Sequence, residues 1–195
     1  MSEKEILSNL YMNENKSAAQ IAGILNIKER KVNSLLRKYK IPKRTISEAI
    51  YVLKNPEGDP FNFKKPTSSQ QHFLLGLGLG LYWGEGLKVG KNGLRLTNSD
   101  PKMILKFIEF LEKLFNVDRN RLRFSLQVFE DVSEKDSLDY WVKRLNVDQK
   151  QFYKTVVSKV RGKGTYTNKS KYGVLILYLN NVKLKKLVLQ MIENI

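Results

Sequence analysis

Residues 73–88, "FLLGLGLGLYWGEGLK", are the stretch whose reading decides the fold. The stretch is apolar, rich in glycine, and carries a single acid, Glu85, between two glycines. A membrane-spanning helix needs about 20 apolar residues, and the run over residues 73–83 is too short. The dinucleotide fingerprint G-x-G-x-x-G fails in both frames, because Gly76 and Gly78 lead to Leu81, and Gly78 and Gly80 lead to Trp83. The terminal G-K-[ST] of a phosphate loop is absent as well. A strand would put glycine at every second position and leave one face empty. A helix accounts for more. Gly76, Gly80 and Gly84 recur every four residues and form one bare stripe, along which a second helix can approach closely. Each interior glycine costs up to ~1 kcal/mol relative to alanine, so several in one helix need a reason, and close helix pairing supplies one. Glu85 then stands at the helix tip, with Gly86 in the position that ends helices.

Outside this stretch the strongest signal is charge. The 195 residues carry a net charge of +16, which attracts polyanions, with nucleic acid as the leading partner and an anionic membrane second. The chain has no cysteine and one histidine, His72, which excludes disulfides, thiolate zinc sites and cysteine nucleophiles and argues against histidine-based triads. The start, "MSEKEILSNL", lacks the basic run and apolar stretch of a signal peptide, so an intracellular, cytoplasmic protein associated with the nucleoid is expected.

The first 46 residues read as three helices. Ile6, Leu7, Leu10 and Tyr11 recur at helical spacing, Ser17 can cap a second helix, and a third runs over residues 28–39 until Pro42 ends it. Ala22 is small where two helices meet, Asn26 suits a turn with positive φ, and Ile27, Val32 and Leu35 supply apolar anchors. This pattern resembles the bacterial helix-turn-helix, with asparagine in place of the usual turn glycine. Residues 28–44 hold eight basic residues and one acid. Lys28, Arg30, Lys31, Asn33 and Ser34 fall on or near the exposed side of the third helix, where they can read base edges in the major groove, while Arg37, Lys38, Lys43 and Arg44 are expected at phosphates. A short fourth helix is expected over residues 47–53. Then "KNPEGDPFNFKKPTSS", with three prolines, reads as a linker or an arm, with Lys64 and Lys65 able to lie along DNA.

At residues 80–86, "GLYWGEG", the chain resembles the LAGLIDADG motif of homing endonucleases. Gly80 and Leu81 match its central glycine and leucine, and Glu85 and Gly86 its terminal acid and glycine. Gly84 replaces alanine, Trp83 stands where many members have an acid, and Gly78 displaces the first leucine. The elements C-terminal to the motif alternate as in a single LAGLIDADG unit: a strand at "GLRLTNS", an amphipathic helix over residues 101–115, a strand over residues 121–130, a helix over residues 134–145, two more strands, and a closing helix. The helix over residues 134–145 interrupts the compact αββαββα order common in that family. The expected fold class is α+β. A helical helix-turn-helix module (residues 1–46) and a short helix with linker (47–70) precede a LAGLIDADG-like mixed α/β domain (71–195) with a curved antiparallel sheet.

The resemblance implies a site and partners. Two motif helices pack side by side, so a single-motif chain implies a homodimer joined at Gly76, Gly80 and Gly84. The terminal acids hold divalent metal, Mg²⁺ in a cleaving enzyme, with Glu85 as catalytic ligand and a helix-end carbonyl such as that of Gly84 beside it. A lysine near the metal can orient water, and Lys159 or Lys154 are candidates by location; they point to opposite sides of one strand. The residues themselves add a basic surface. Residues 149–192 contain ten lysines or arginines and no acid. Candidate DNA contacts are Arg95, Arg121, Arg123, Gln127, Lys154, Lys159, Arg161, Lys163, Lys169 and Lys171, with Arg123 suited to guanine and Gln127 to adenine. The expected partner is double-stranded DNA, with no membrane and no small-molecule substrate. Similar domains joined to helix-turn-helix segments also serve as non-cleaving transcription regulators, and an RNA-maturation factor would use the same basic surface.

Overall fold

The computed structural model describes residues 2–56, 58–90, 92–159 and 170–194. They belong to two compact units, Met1–Pro60 and Phe61–Ile195.

In the first unit, α1 (Glu3–Ser8) runs on into one π-helical turn, Asn9–Asn13. Ser2 and Glu5 form a reciprocal capping box at its start, and Ser17 with Gln20 does the same for α2 (Ala18–Ile24). Asn26 adopts φ +50°, as its place in the turn requires, and α3 (Glu29–Lys38) follows. Leu7, Leu10, Ile21, Ala22, Val32, Leu35 and Leu36 close a small core beneath the three helices. Thr45 caps α4 (Ile46–Lys54), which buries none of its own residues.

The second unit begins earlier than the linker reading expects. Phe61 and Phe63 pack on its core, and the backbone amides of Asn62 and Lys64 donate to the carbonyls of Phe115 and Leu114. The Lys64 ammonium donates to Asn116 Oδ1. This segment is therefore a docked extended strap, and Lys64 is held by the protein itself.

The elements then run α5 (Ser69–Glu85), β1 (Leu94–Asn98), α6 (Pro101–Phe115), β2 (Arg123–Phe129), α7 (Glu134–Leu145), β3 (Val156–Ser158), β4 (Val174–Leu179) and α8 (Val182–Glu193). The fold is α+β, with one open four-stranded sheet ordered β1-β4-β2-β3. The sheet is mixed, which corrects the antiparallel expectation. β4 pairs antiparallel with β1 and β2, whereas β2 and β3 are parallel. The cause is α7. Parallel neighbours need a crossover connection, usually a helix, and α7 lies between β2 and β3 in the chain. Among the described residues β3 and β4, consecutive strands, do not pair with each other.

Alternation along the strands sets the two faces. Leu94, Leu96, Phe124, Leu126, Val128, Leu175, Leu177 and Leu179 are buried against the helices, together with Phe107, Phe110, Phe115 and Trp141. Trp141 is fully buried, and its indole N–H donates to the Tyr172 carbonyl at 2.8 Å. The opposite face presents Arg95, Thr97, Tyr178, Ile176, Arg123 and Gln127, half-buried or exposed.

Helix α5 is the expected glycine helix, but its glycines do two different jobs. The close approach inside the chain is at Gly78, off the stripe, where a Cβ would lie 2.2 Å from the Phe110 ring. At Gly76, Gly80 and Gly84 a Cβ would meet nothing within 4 Å. Gly86 leaves the helix at φ −81°, so the left-handed helix end expected from the sequence is absent. Glycine is needed there for space instead. Gly86 bridges to Leu96, and a Cβ would lie 2.4 Å from Tyr82. No helix of the described residues is long and apolar enough to cross a membrane.

Candidate nucleic-acid interface

The first surface is α3. Val32, Leu35 and Leu36 turn into the core, which leaves the other side of the helix outward. Lys28, Arg30, Lys31, Ser34, Arg37 and Lys38 are all solvent-accessible, and none makes an ion pair with a described residue. Asn33 is half-buried, with its amide donating to the Glu29 carbonyl one turn back. Lys38 lies over the Tyr39 ring. Arg44 has a different role from the phosphate contact read in the sequence. Its guanidinium donates to the carbonyls of Tyr11 and Lys16 and to Asn15 Oδ1, and it covers the Tyr11 ring at 4.2 Å. Arg44 clamps the chain after α3 onto the start of the unit.

The second surface is the open sheet face. Register aligns Arg95, Tyr178 and Arg123 in one row, Thr97, Ile176 and Ser125 in the next, and Val174, Gln127 and Val156 in a third. Across four strands this face spans about 14 Å, comparable to the width of a major groove. The side chains on it differ in freedom. Arg123 Nη1 donates to the carbonyls of Asn120 and Leu122, which ties it back to its own turn. That arrangement does not suit the guanine contact expected from the sequence. Gln127 is exposed and donates to Ser158 Oγ at 3.1 Å. Arg121 belongs to a 3-10 turn, Arg119–Arg121, ahead of the strand, and is exposed. Lys154 is exposed beside Tyr153, whose ring meets Tyr178 edge-on. Lys171 lies over the Tyr172 ring and lines a cleft of about 500 Å³ with Asp131 and Asp136, apart from the sheet rows. Arg161, Lys163 and Lys169 lie outside the described residues.

The third feature is the tip of α5. Glu85 is exposed at the helix end, and among the described residues no group of three histidine, cysteine or acidic side chains gathers to hold a metal. Within one chain the tip offers the Glu85 carboxylate and helix-end carbonyls such as that of Gly84 as hard oxygen donors. The Tyr82 carbonyl is taken by the Gly86 amide. Tyr82 itself is buried and donates its hydroxyl to the Leu87 carbonyl at 2.9 Å, and burial pushes its phenol up to about 12. Lys159 is not near this tip, which corrects its pairing with Glu85. Gly86 bridges to β1 at one sheet edge, and Lys159 follows β3 at the other. Four strand spacings separate them, roughly 20 Å, far beyond the reach of a lysine side chain.

Along α5 the stripe and its neighbours stay uncovered. Gly76, Gly80 and Gly84 have open space beside them, and Phe73 (70%) and Trp83 (61%) are exposed. These positions share one helix face, since they recur at intervals of three and four residues.

Lys185, on α8, is not legible from the sequence as a functional residue. It is 3% exposed, and its ammonium donates to the Val89 and Gly90 carbonyls at 3.0 and 3.2 Å. Burial, and then the charge of Arg95, holds it below the usual lysine range. The one sequence signal is a lysine beside the buried positions Leu184 and Val188. No family model, curated protein or solved structure matches the chain.

Proposed function

We propose that the chain binds double-stranded DNA sequence-specifically as a homodimer and cleaves it with divalent metal. The observation that carries the DNA reading is α3: an exposed cationic face on a helix whose opposite side is locked into a core. In this reading Arg30, Lys31 and Asn33 meet base edges, and Lys28, Arg37 and Lys38 meet phosphates. The open sheet face adds Gln127, Lys154 and Arg121 as a second set of contacts.

The dimer reading draws support from α5. Its bare stripe, flanked by exposed Phe73 and Trp83, leaves room for a second backbone. A two-fold axis there brings two Glu85 carboxylates together, one from each subunit. One carboxylate with helix-end carbonyls makes half of a magnesium site, and the second subunit supplies the other half. Bound metal would neutralise the scissile phosphate and lower the pKa of a water. Glu85 holds the charge that fixes it in place.

A second reading keeps the DNA binding without cleavage. It is favoured by the isolation of Glu85, with no second acid between residues 64 and 99. Nicking of supercoiled DNA with Mg²⁺ or Mn²⁺, compared between the wild type and Glu85→Gln, separates the two. Cleavage lost in the variant with duplex affinity retained supports the enzyme. No cleavage by either chain supports the regulator. Competition with RNA decides the nucleic acid, and preferential RNA binding would overturn both readings.

A further inference from the structure

We infer that the cleft between the end of β2, the first turn of α7 and the entry to β4 is a binding site for a small aliphatic diamine. Asp131 and Asp136 hold its ammonium groups, and the buried Ser137 hydroxyl accepts from one of them.

The cleft measures about 500 Å³, within the size range of small-molecule sites. Asp131, Asp136, Ser137 and Ser170 line it, with Phe129 and Val132 as apolar wall. Ser137 is the residue that points to a ligand. It is fully buried, and its hydroxyl has no hydrogen-bond partner. A serine inside a helix ordinarily bonds back to the carbonyl one turn earlier or turns to solvent. The Ser137 hydroxyl does neither, although the Ser137 amide donates to the Ser133 carbonyl. The Ser170 hydroxyl, on the segment entering β4, is buried and unpartnered as well. Buried polar atoms without partners are rare and costly, so two at one cleft call for a hydrogen-bonding occupant.

Charge selects that occupant. Residues 130–139 hold five of the chain's 19 acids and one lysine, in a chain of net charge +16. Neither Asp131 nor Asp136 forms an ion pair with a described residue. Lys171 also lines the cleft, but its ammonium lies over the Tyr172 ring. The site therefore favours a cation. A divalent metal suits it poorly, because it needs several hard oxygens, and among the described residues no three acids, histidines or cysteines gather. An ammonium donates to carboxylates and hydroxyls alike. Two carboxylates match two ammonium groups, and Phe129 and Val132 can cover the methylenes between them. The walls are fastened together before any ligand arrives. Tyr140 of α7 stacks on Tyr172 at 3.7 Å, and the Trp141 indole donates to the Tyr172 carbonyl.

The test titrates the full chain, free of nucleic acid and at physiological salt, with putrescine, and follows backbone amide resonances by NMR. The Asp136 and Ser137 amides of the wild type should shift along one saturation curve. Asp131→Asn with Asp136→Asn, and separately Ser137→Ala, should each weaken binding about tenfold. Ser137→Ala removes a hydroxyl that has no partner, so the free chain should melt no lower than the wild type. Glu134→Gln with Asp139→Asn removes two charges from the same stretch outside the cleft and should bind like the wild type. Nα-acetyl-lysine amide, with one ammonium, should bind roughly tenfold more weakly than putrescine. No saturable shift at Asp136 and Ser137 would overturn the site, and so would unchanged affinity in Ser137→Ala. Equal weakening by the Glu134 and Asp139 pair, or equal shifts with MgCl₂ at matched ionic strength, would reduce it to a cation atmosphere and overturn it. Equal binding of the lysine amide would assign the cleft to a lysine side chain and overturn the diamine. No residue of α3 or α5 takes part, so failure here leaves the DNA reading standing, and failure of duplex binding leaves this site intact.

Discussion

Replacing Gly76, Gly80 and Gly84 together by alanine should stabilise the folded chain and weaken its self-association. All three positions lie in α5 and have open space where a Cβ would go. Alanine is favoured over glycine in a helix interior by ~0.8–1 kcal/mol. Gly84 lies near the helix end and gains less, so the sum is about 2 kcal/mol. For a unit of this size that raises the melting temperature by roughly 6 °C. Pairing responds in the opposite direction. If two helices meet along the stripe, the added methyl groups of both subunits occupy the line of closest approach, and overpacking costs about 1–3 kcal/mol. A loss of about 1.4 kcal/mol is already tenfold in the dimer dissociation constant. Calorimetry at dilute concentration reads the first effect, and sedimentation equilibrium reads the second. Gly78→Ala is the contrast: its Cβ collides with Phe110, so it should lower stability by about 1–3 kcal/mol and leave pairing alone. A triple variant that melts lower than the wild type would mean that the stripe is already covered. One that associates as tightly as the wild type would refute pairing along it.

Arg30→Ala with Lys31→Ala should weaken specific duplex binding by at least ~1 kcal/mol in a gel-shift series, with circular dichroism unchanged. Arg44→Met should act on stability, because it removes charge-assisted bonds to Tyr11 and Lys16; a loss of about 2 kcal/mol in denaturant unfolding is expected, whereas an unchanged midpoint would return Arg44 to the DNA surface. Glu109 is held below the usual carboxylate range by hydrogen bonds from Lys106 and then Lys113. Its contribution is therefore present above the unfolded carboxylate pKa and lost as the pH falls through the lowered folded value. The pairs are on the surface, so Glu109→Gln should cost at most about 1 kcal/mol at neutral pH, and the difference between the chains should vanish in acid.

Local signals carry far in this chain. Ser17, Asn26 and Pro42 punctuate the first unit because capping, positive φ and the restriction before proline act over a few residues, and the structure has Ser17 and Asn26 in those roles where the spacing puts them. The apolar alternation of Phe124, Leu126 and Val128 likewise fixes which face of β2 turns inward. Features that depend on partners distant in sequence are not legible. Arg44 reads as one more cation in a basic run, and only folding brings Tyr11 beside it. The β2–β3 pairing is parallel because α7 intervenes, a consequence of topology that strand composition does not encode. Lys159 can be paired with Glu85 only while the strand order is unknown. Gly78 and Gly80 are alike in sequence, yet one lies against Phe110 and the other faces open space.

Sequence-specific duplex recognition by a homodimer is tested most directly by selecting bound duplexes from a randomised DNA library with the full chain and sequencing them. A two-fold-related pair of half-sites should be enriched, and the enrichment should be lost when Arg30 and Lys31 are replaced by alanine. A bound pool with no sequence preference over the input library would contradict specific DNA recognition, and enrichment of a single unrepeated half-site would contradict the homodimer.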